Sequence, residues 1–280
     1  MKPKLLFVYD MEKDLVPLWK DGLWAALKIL EKDFGITYYN LAENLPPKKP
    51  MGPPYPDSDW HVDFTLGWGA FGSKVDQWMK HHPYKKGLCI GGNAKPPEGA
   101  DSYDVLFYET EWYRDQIKHH PRIIHAFGIN AGIYKPDTVS RYSESFPLWN
   151  YLTVGAFAYW KRQDVLCQKP GRKLAIGQIQ KGNLQESIDI VGNLLLGGVA
   201  VSDMVPPEEL VKFYYMANTI FIPADINGGG ERAVLEARAC DRVVEVAEDN
   251  PKLQELLTCP VWEHGYYAAQ LKEGILSSIK

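Results

Sequence analysis

Residues 214–240, YYMANTIFIPADINGGGERAVLEARAC, restrict the possible folds more than any other part of the chain. A helix end gives way to a short apolar strand over 219–223, the run Asn227-Gly228-Gly229-Gly230 breaks it, and a helix restarts at Glu231. Strand, glycine turn and helix N-terminus in that order form the βα step of a parallel sheet. Such a turn presents backbone N–H groups and the positive end of a helix, which suits an anionic ligand, and glycine lets that ligand approach the backbone closely. Inside the new helix Glu236 shares its side with Ala233, Ala237 and Cys240. Its carboxylate is therefore expected to point inward, where it requires hydroxyls or cations as partners.

The same alternation runs through the whole chain. Strands are predicted at 4–9, 36–41, 62–67, 87–91, 104–108 and 122–127, with helices at about 17–34 and 73–81 and one from Glu111. In the helix at 17–34, Trp19, Leu23, Ala26, Leu27 and Leu30 make one apolar stripe. A second series of strands follows at 151–157, 173–177, 198–202, 219–223 and 242–246. This predicts an α/β protein of two Rossmann-like, doubly wound parallel-sheet domains. The stretch 134–146 lacks apolar periodicity and is the expected boundary, giving domains over 1–140 and 148–280, with the last helix a candidate to return to the first domain. Six prolines within 45–59 exclude helix or inner strand there and predict a surface loop.

The motif Gly67-Trp68-Gly69-Ala70-Phe71-Gly72 has the GxGxxG spacing of a dinucleotide fingerprint. It follows the third strand instead of the first, and no acidic residue closes a neighbouring strand at the required distance. It reads instead as a glycine-rich loop facing the cleft between the domains, with Trp68, Phe71 and Asn93 as candidates for an acceptor pocket. A net charge of −4 excludes a surface built as a whole for nucleic acid, although Lys80-His81-His82-Pro83-Tyr84-Lys85-Lys86 and Lys118-His119-His120-Pro121-Arg122 are local basic clusters. Either cluster is equally the cationic end of a helix. Cys89, Cys167, Cys240 and Cys259 show no metal-ligand spacing and read as reduced thiols. No apolar run approaches the roughly 20 residues that span a bilayer, so a cytoplasmic protein is expected.

Four stretches between 125 and 240 together resemble the nucleotide-sugar-dependent glycosyltransferases of the GT-B fold, specifically the retaining group called glycosyltransferase family 4. HAFGINAGIYKP (125–136) is similar to the segment that ends the family's first domain. LTVGAFAYWKRQDVL (152–166) resembles the opening of the nucleotide domain. There the family carries Gly-Arg and then a lysine, the two cations that grip the donor diphosphate. Gly155 and Lys161 match, while Ala156 stands at the arginine and Arg162 is the candidate to compensate. SDMVPPEELVKFYYMANTIFIPA (202–224) is similar to the run whose backbone meets the nucleobase, which assigns Val205 to that role. GGGERAVLEARAC resembles the signature of two glutamates separated by seven residues; Glu236 matches the second, which binds the ribose, and Gly228 falls on the first.

The resemblance implies sugar transfer with retention of configuration from a nucleotide sugar, a UDP-sugar by preference, with no metal or other cofactor. Donor contacts are implied at Gly155, Lys161, Arg162, Val205, Gly228, Gly229, Gly230, Glu231 and Glu236. Among these, Lys161, Glu231 and Gly228 lie nearest the chemistry, Glu231 being the carboxylate closest to the departed glutamate. The histidine that many members place after the fourth strand is replaced by Gly91-Gly92-Asn93. The acceptor stays open among a small molecule, a glycan and a modified DNA base, and a catalytically weak nucleotide-sugar-binding protein is the alternative from another class.

Overall fold

In the computed structural model the described residues are 2–44, 61–91, 97–136, 148–229 and 231–280. The proline-rich stretch 45–59, Asn93, Gly230 and most of the expected boundary segment lie outside them. Contacts divide the chain into two compact units, Met1–Gly128 with Glu263–Lys280, and Ile129–Trp262.

The first unit contains β1 (Lys4–Tyr9), α1 (Gly22–Leu30), β2 (Gly35–Asn40), α2 (Leu41–Asn44), β3 (Phe64–Gly69), α3 (Lys74–Lys80), β4 (Lys86–Ile90), β5 (Val105–Tyr108), α4 (Glu111–Ile117) and β6 (Ile123–His125). Its strands form one parallel six-stranded sheet in the order β2-β1-β3-β4-β5-β6. The near-continuous apolar runs are buried on both faces, as parallel strands require. The predicted stripe of Trp19, Leu23, Ala26, Leu27 and Leu30 does enter the core beside Leu5, Phe7 and Phe64. The helix itself is shorter than the predicted 17–34. Pro17 sits in a separate 3-10 turn (Lys13–Leu18), and the Asp21 side chain caps α1 by accepting from the Trp24 N–H at 2.9 Å.

The second unit contains β7 (Trp149–Val154), β8 (Lys173–Gly177), α5 (Leu184–Leu196), β9 (Ala200–Asp203), α6 (Pro207–Tyr215), β10 (Ala217–Ile222), α7 (Glu231–Ala239), β11 (Val243–Val246) and α8 (Pro251–Leu256). The parallel order is β11-β10-β7-β8-β9. Strand order therefore reverses between β7 and β10, and the crevice beyond the carboxyl ends of those two strands is where doubly wound sheets bind ligands.

The last helix, α9 (His264–Ile279), belongs to the first unit, where Tyr267, Leu271 and Ile275 join the core formed by α1 and the sheet. Gly274 permits that contact: a Cβ there would lie 2.5 Å from the Phe107 ring.

The GxGxxG glycines serve helix packing. A Cβ on Gly67 would press on Met79 and Val75 of α3 at 3.1 Å, and one on Gly69 would meet Ser73 Oγ at 2.8 Å. The N-terminus of α3 is already filled by the chain's own acid, since the fully buried Asp76 accepts from the Gly72 N–H at 2.7 Å and from the Tyr103 hydroxyl at 2.6 Å. A dinucleotide phosphate would have to displace it.

Much of both basic clusters is likewise used internally. Lys86 is buried and donates to the Met79 and His82 carbonyls (2.9 and 2.8 Å), capping the C-terminal end of α3. Lys80 pairs with Asp76 and Lys85 with Asp104. The buried His120 ring spans the Tyr103 and Arg122 carbonyls at 2.9 and 2.8 Å. These groups act as helix ends and interior fasteners.

Candidate functional site

The site is built from two loops of the second unit, one after β7 and one after β10. After β7 the chain turns at Gly155, whose φ of +133° suits only glycine, and its carbonyl accepts from the buried Gln163 side chain at 3.1 Å. A 3-10 turn (Tyr159–Lys161) then brings Lys161 back over the start of the loop, with its stem 3.7 Å from where a Gly155 Cβ would sit. After β10 the chain turns back on itself at Asp225, whose carboxylate accepts from the Asn227 and Gly228 N–H groups at 2.7 and 3.1 Å. The two loops are fastened together, because the Asp225 N–H donates to the Trp160 carbonyl at 2.9 Å.

Gly228 departs from expectation. Its N–H is already taken by Asp225, its carbonyl accepts from Lys252 Nζ at 3.1 Å, and a Cβ would lie 2.5 Å from the Trp160 carbonyl oxygen. Its backbone N–H and carbonyl are thus both engaged. A side chain at this position would meet the Trp160 backbone and, at 2.9 Å, the Ala224 methyl group. Gly229 is the more exposed of the two, and α7 begins at Glu231 just beyond.

Glu231 points inward, 3 % exposed, and pairs with Lys252 at 2.9 Å. Lys252 is fully buried on α8, and its neighbour Asn250 is too. The Asn250 side chain caps α8 and donates to the Ala224 and Asp225 carbonyls at 3.0 and 2.8 Å. Asn250 and Lys252 hold the turn from beneath, and sequence reading did not find either. The Asn-Pro pair is a legible helix start, but nothing in a lone lysine two positions on announces a buried carboxylate as partner.

Lys161 is half-buried, and burial brings its pKa down to about 8; Glu231 and Asp225 oppose the drop, while Lys252 and Arg232 add to it. Two carboxylates and two further cations therefore act on one ammonium beside the helix start. Arg162, expected to share the anion-binding role, instead holds Asp249 through both carboxylate oxygens at 2.9 and 2.7 Å, from a backbone with φ of +50°. The structure thus places Lys252 and Arg232, not Arg162, in the charged cluster around Lys161.

Glu236 is 6 % exposed, as the helical pattern predicted, and its Oε2 accepts from the buried Tyr214 hydroxyl at 3.3 Å. Burial and the carboxylate beside it hold that hydroxyl well above its usual pKa, so it remains a donor. Val205 lies half-buried in the turn between β9 and α6. In the first unit, Trp68 lies half-buried next to the last residue of β3, stacked on Trp19 at 5.7 Å and 14°. Phe71, expected beside it in an acceptor pocket, is 4 % exposed and meets Tyr103 edge-on in the core below α3. Among the described residues no group of three or more His, Cys, Asp or Glu side chains is arranged to hold a metal ion. No helix among them is long and apolar enough to cross a membrane.

No protein-family model matches the chain, and no curated protein matches it in sequence. Solved structures do resemble it over nearly its whole length. A sucrose-phosphate synthase from Thermosynechococcus elongatus aligns at a TM-score of 0.65 and 12 % identity, covering 99 % of this chain and 90 % of that one. HepE from Anabaena, in complex with UDP and glucose, aligns at 0.63 and 10 % identity over 99 % and 90 %. A UDP-GlcNAc 2-epimerase from Methanocaldococcus jannaschii, in complex with UDP-GlcNAc and UDP, aligns at 0.53 and 12 % over 98 % and 99 %. At this identity the likeness establishes the fold: the chain has the GT-B fold, each unit a parallel doubly wound sheet.

Proposed function

We propose that this chain is a glycosyltransferase that takes a sugar from a nucleotide sugar, with UDP as the leaving group. One observation carries the reading: the loop bearing Lys161 and the glycine turn that opens α7 are joined at the point where strand order reverses in the second unit. A nucleoside diphosphate leaving a sugar gains negative charge as the glycosidic bond breaks. A fixed ammonium and a helix N-terminus stabilise that charge without reorganising. The preference for uridine follows from the UDP held by HepE and by the epimerase.

In this reading the diphosphate meets Lys161, Gly229 and the start of α7, and Glu236 accepts from the ribose hydroxyls while Tyr214 fixes its orientation. The backbone near Val205 borders the base. Retention of configuration and independence of metal are carried as parts of the proposal. The acceptor belongs to the first unit, with Trp68 as its proposed aromatic contact. The internal use of the basic clusters favours a sugar or small molecule over a DNA base.

A second reading rests on Gly228. With the signature glutamate sterically excluded, the chain would bind nucleotide sugars and turn them over slowly or not at all.

A thermal-shift panel of nucleoside diphosphates and nucleotide sugars tests the proposal, since a ligand that binds only the folded state raises the midpoint. UDP is expected to stabilise the wild type, and Glu236→Gln and Lys161→Met to lose that stabilisation. A flat panel would leave fold ancestry alone. Stabilisation with neither transfer nor hydrolysis of any UDP-sugar would favour the second reading.

A further inference from the structure

Resting on the reading above, we propose that the buried Glu231–Lys252 pair is a positioning device for the diphosphate site. Lys252 fixes the glycine turn through the Gly228 carbonyl, and Glu231 is a counter-charge shared by Lys252 and Lys161, not a ligand of the donor sugar.

The geometry points this way. Lys252 Nζ reaches Glu231 Oε1 at 2.9 Å and the Gly228 carbonyl at 3.1 Å, in a place where the lysine has no exposed surface and the glutamate 3 %. One ammonium therefore holds both the middle of the turn and the first residue of α7. Asn250, two residues earlier, holds the Ala224 and Asp225 carbonyls that begin the turn. The turn is pinned along its length from α8, and the Trp160 carbonyl presses on its other side. Drawing Glu231 out to a sugar hydroxyl would leave the buried Lys252 ammonium without this counter-charge, at a heavy penalty.

The charges around Lys161 suit the same role. Lys252 and Arg232 repel its proton, Glu231 and Asp225 retain it. With Lys161 counted in, the cluster holds one more cation than carboxylates, a balance that an arriving diphosphate completes. The carboxylate that the resemblance would place on the sugar is here diverted to keeping the anion site charged and its turn rigid.

Calorimetric titration of the full chain with UDP and with UMP, across pH, tests this with Glu231→Gln, Lys252→Met and the double variant. Lys252→Met is expected to weaken UDP by about tenfold or more while UMP, which lacks the outer phosphate, stays within about twofold. Glu231→Gln removes a charge that retains the Lys161 proton, so the alkaline loss of UDP affinity moves to lower pH; Lys252→Met moves it to higher pH. Opposite shifts are not what a general loosening of the fold produces. Should Glu231→Gln fail to fold because the Lys252 charge has lost its carboxylate, the double variant, which neutralises both members, keeps the test alive: it is expected to bind UDP within about twofold of Lys252→Met alone. Variants that bind UDP like the wild type would overturn the proposal. So would a Glu231→Gln loss confined to UDP-glucose and undiminished in the Lys252→Met background. A wild type that binds neither nucleotide overturns the glycosyltransferase reading itself, an outcome distinct from the other two.

Discussion

The Asp225 N–H donates to the Trp160 carbonyl at 2.9 Å, so the loops that follow β7 and β10 form one body at the reversal point of the second sheet. The Gly228 position is enclosed by the same contact. Lys161 follows Trp160 directly, and its placement therefore depends on the turn that carries α7.

Gly228→Ala is expected to lower UDP affinity by tenfold or more, because the added Cβ meets the Trp160 carbonyl oxygen at 2.5 Å and backbone cannot move aside as a side chain can. Gly228→Glu, which restores the glutamate of the resemblance, is expected to bind no better than Gly228→Ala. Titration of UDP into both variants checks this; a gain in affinity for Gly228→Glu would show that the turn can open.

With Lys161 at about 8 instead of its ordinary 10.5, its charge is present below pH 8 and lost above it. UDP affinity is expected to fall as pH rises from about 7 through 8, by up to about tenfold per unit for one proton. Lys161→Met should give a weak and pH-independent affinity over the same range.

His82 is buried against Trp78 and Tyr84 and held near 4 by desolvation, with the Lys86 charge adding to the shift. A histidine with a depressed folded pKa supports the fold fully above its unfolded value of 6.5 and loses that support as pH falls toward 4. The loss amounts to roughly 3 kcal/mol at most. Urea midpoints at several pH values should show this slope, and His82→Phe should flatten it.

Gly274→Ala is expected to destabilise the chain by about 1–3 kcal/mol, because the methyl group enters the space of the buried Phe107 ring and approaches Ile124 at 3.1 Å. Chemical denaturation reads the cost. UDP affinity of the folded protein should be unchanged, since the substitution lies in the first unit.

Continuous apolar runs such as 4–9 and 173–177 made the strands legible, and their order placed the glycine turn after β10. Glu236 was legible because its small apolar neighbours share one helical side. The extent of α1 was not: the stripe continues through Trp19, and only the Asp21 cap and Pro17 end the helix sooner. The partners of Arg162 and Phe71 are not legible, because residue type at a plausible spacing carries no information about them; Asp249 lies 87 residues from Arg162. Lys252 was invisible for the same reason, its carboxylate being 21 positions back and its role set by burial.

Because α9 supplies Tyr267, Leu271 and Ile275 to a core begun by Leu5 and Phe7, the first unit is interrupted in sequence by the whole of the second. During synthesis, residues 129–262 must leave the ribosome before that core can close. The amino-terminal half thus waits, incomplete, for the carboxyl-terminal one. Chains cut short after Trp262 would lack those three side chains and so fail in the half made first.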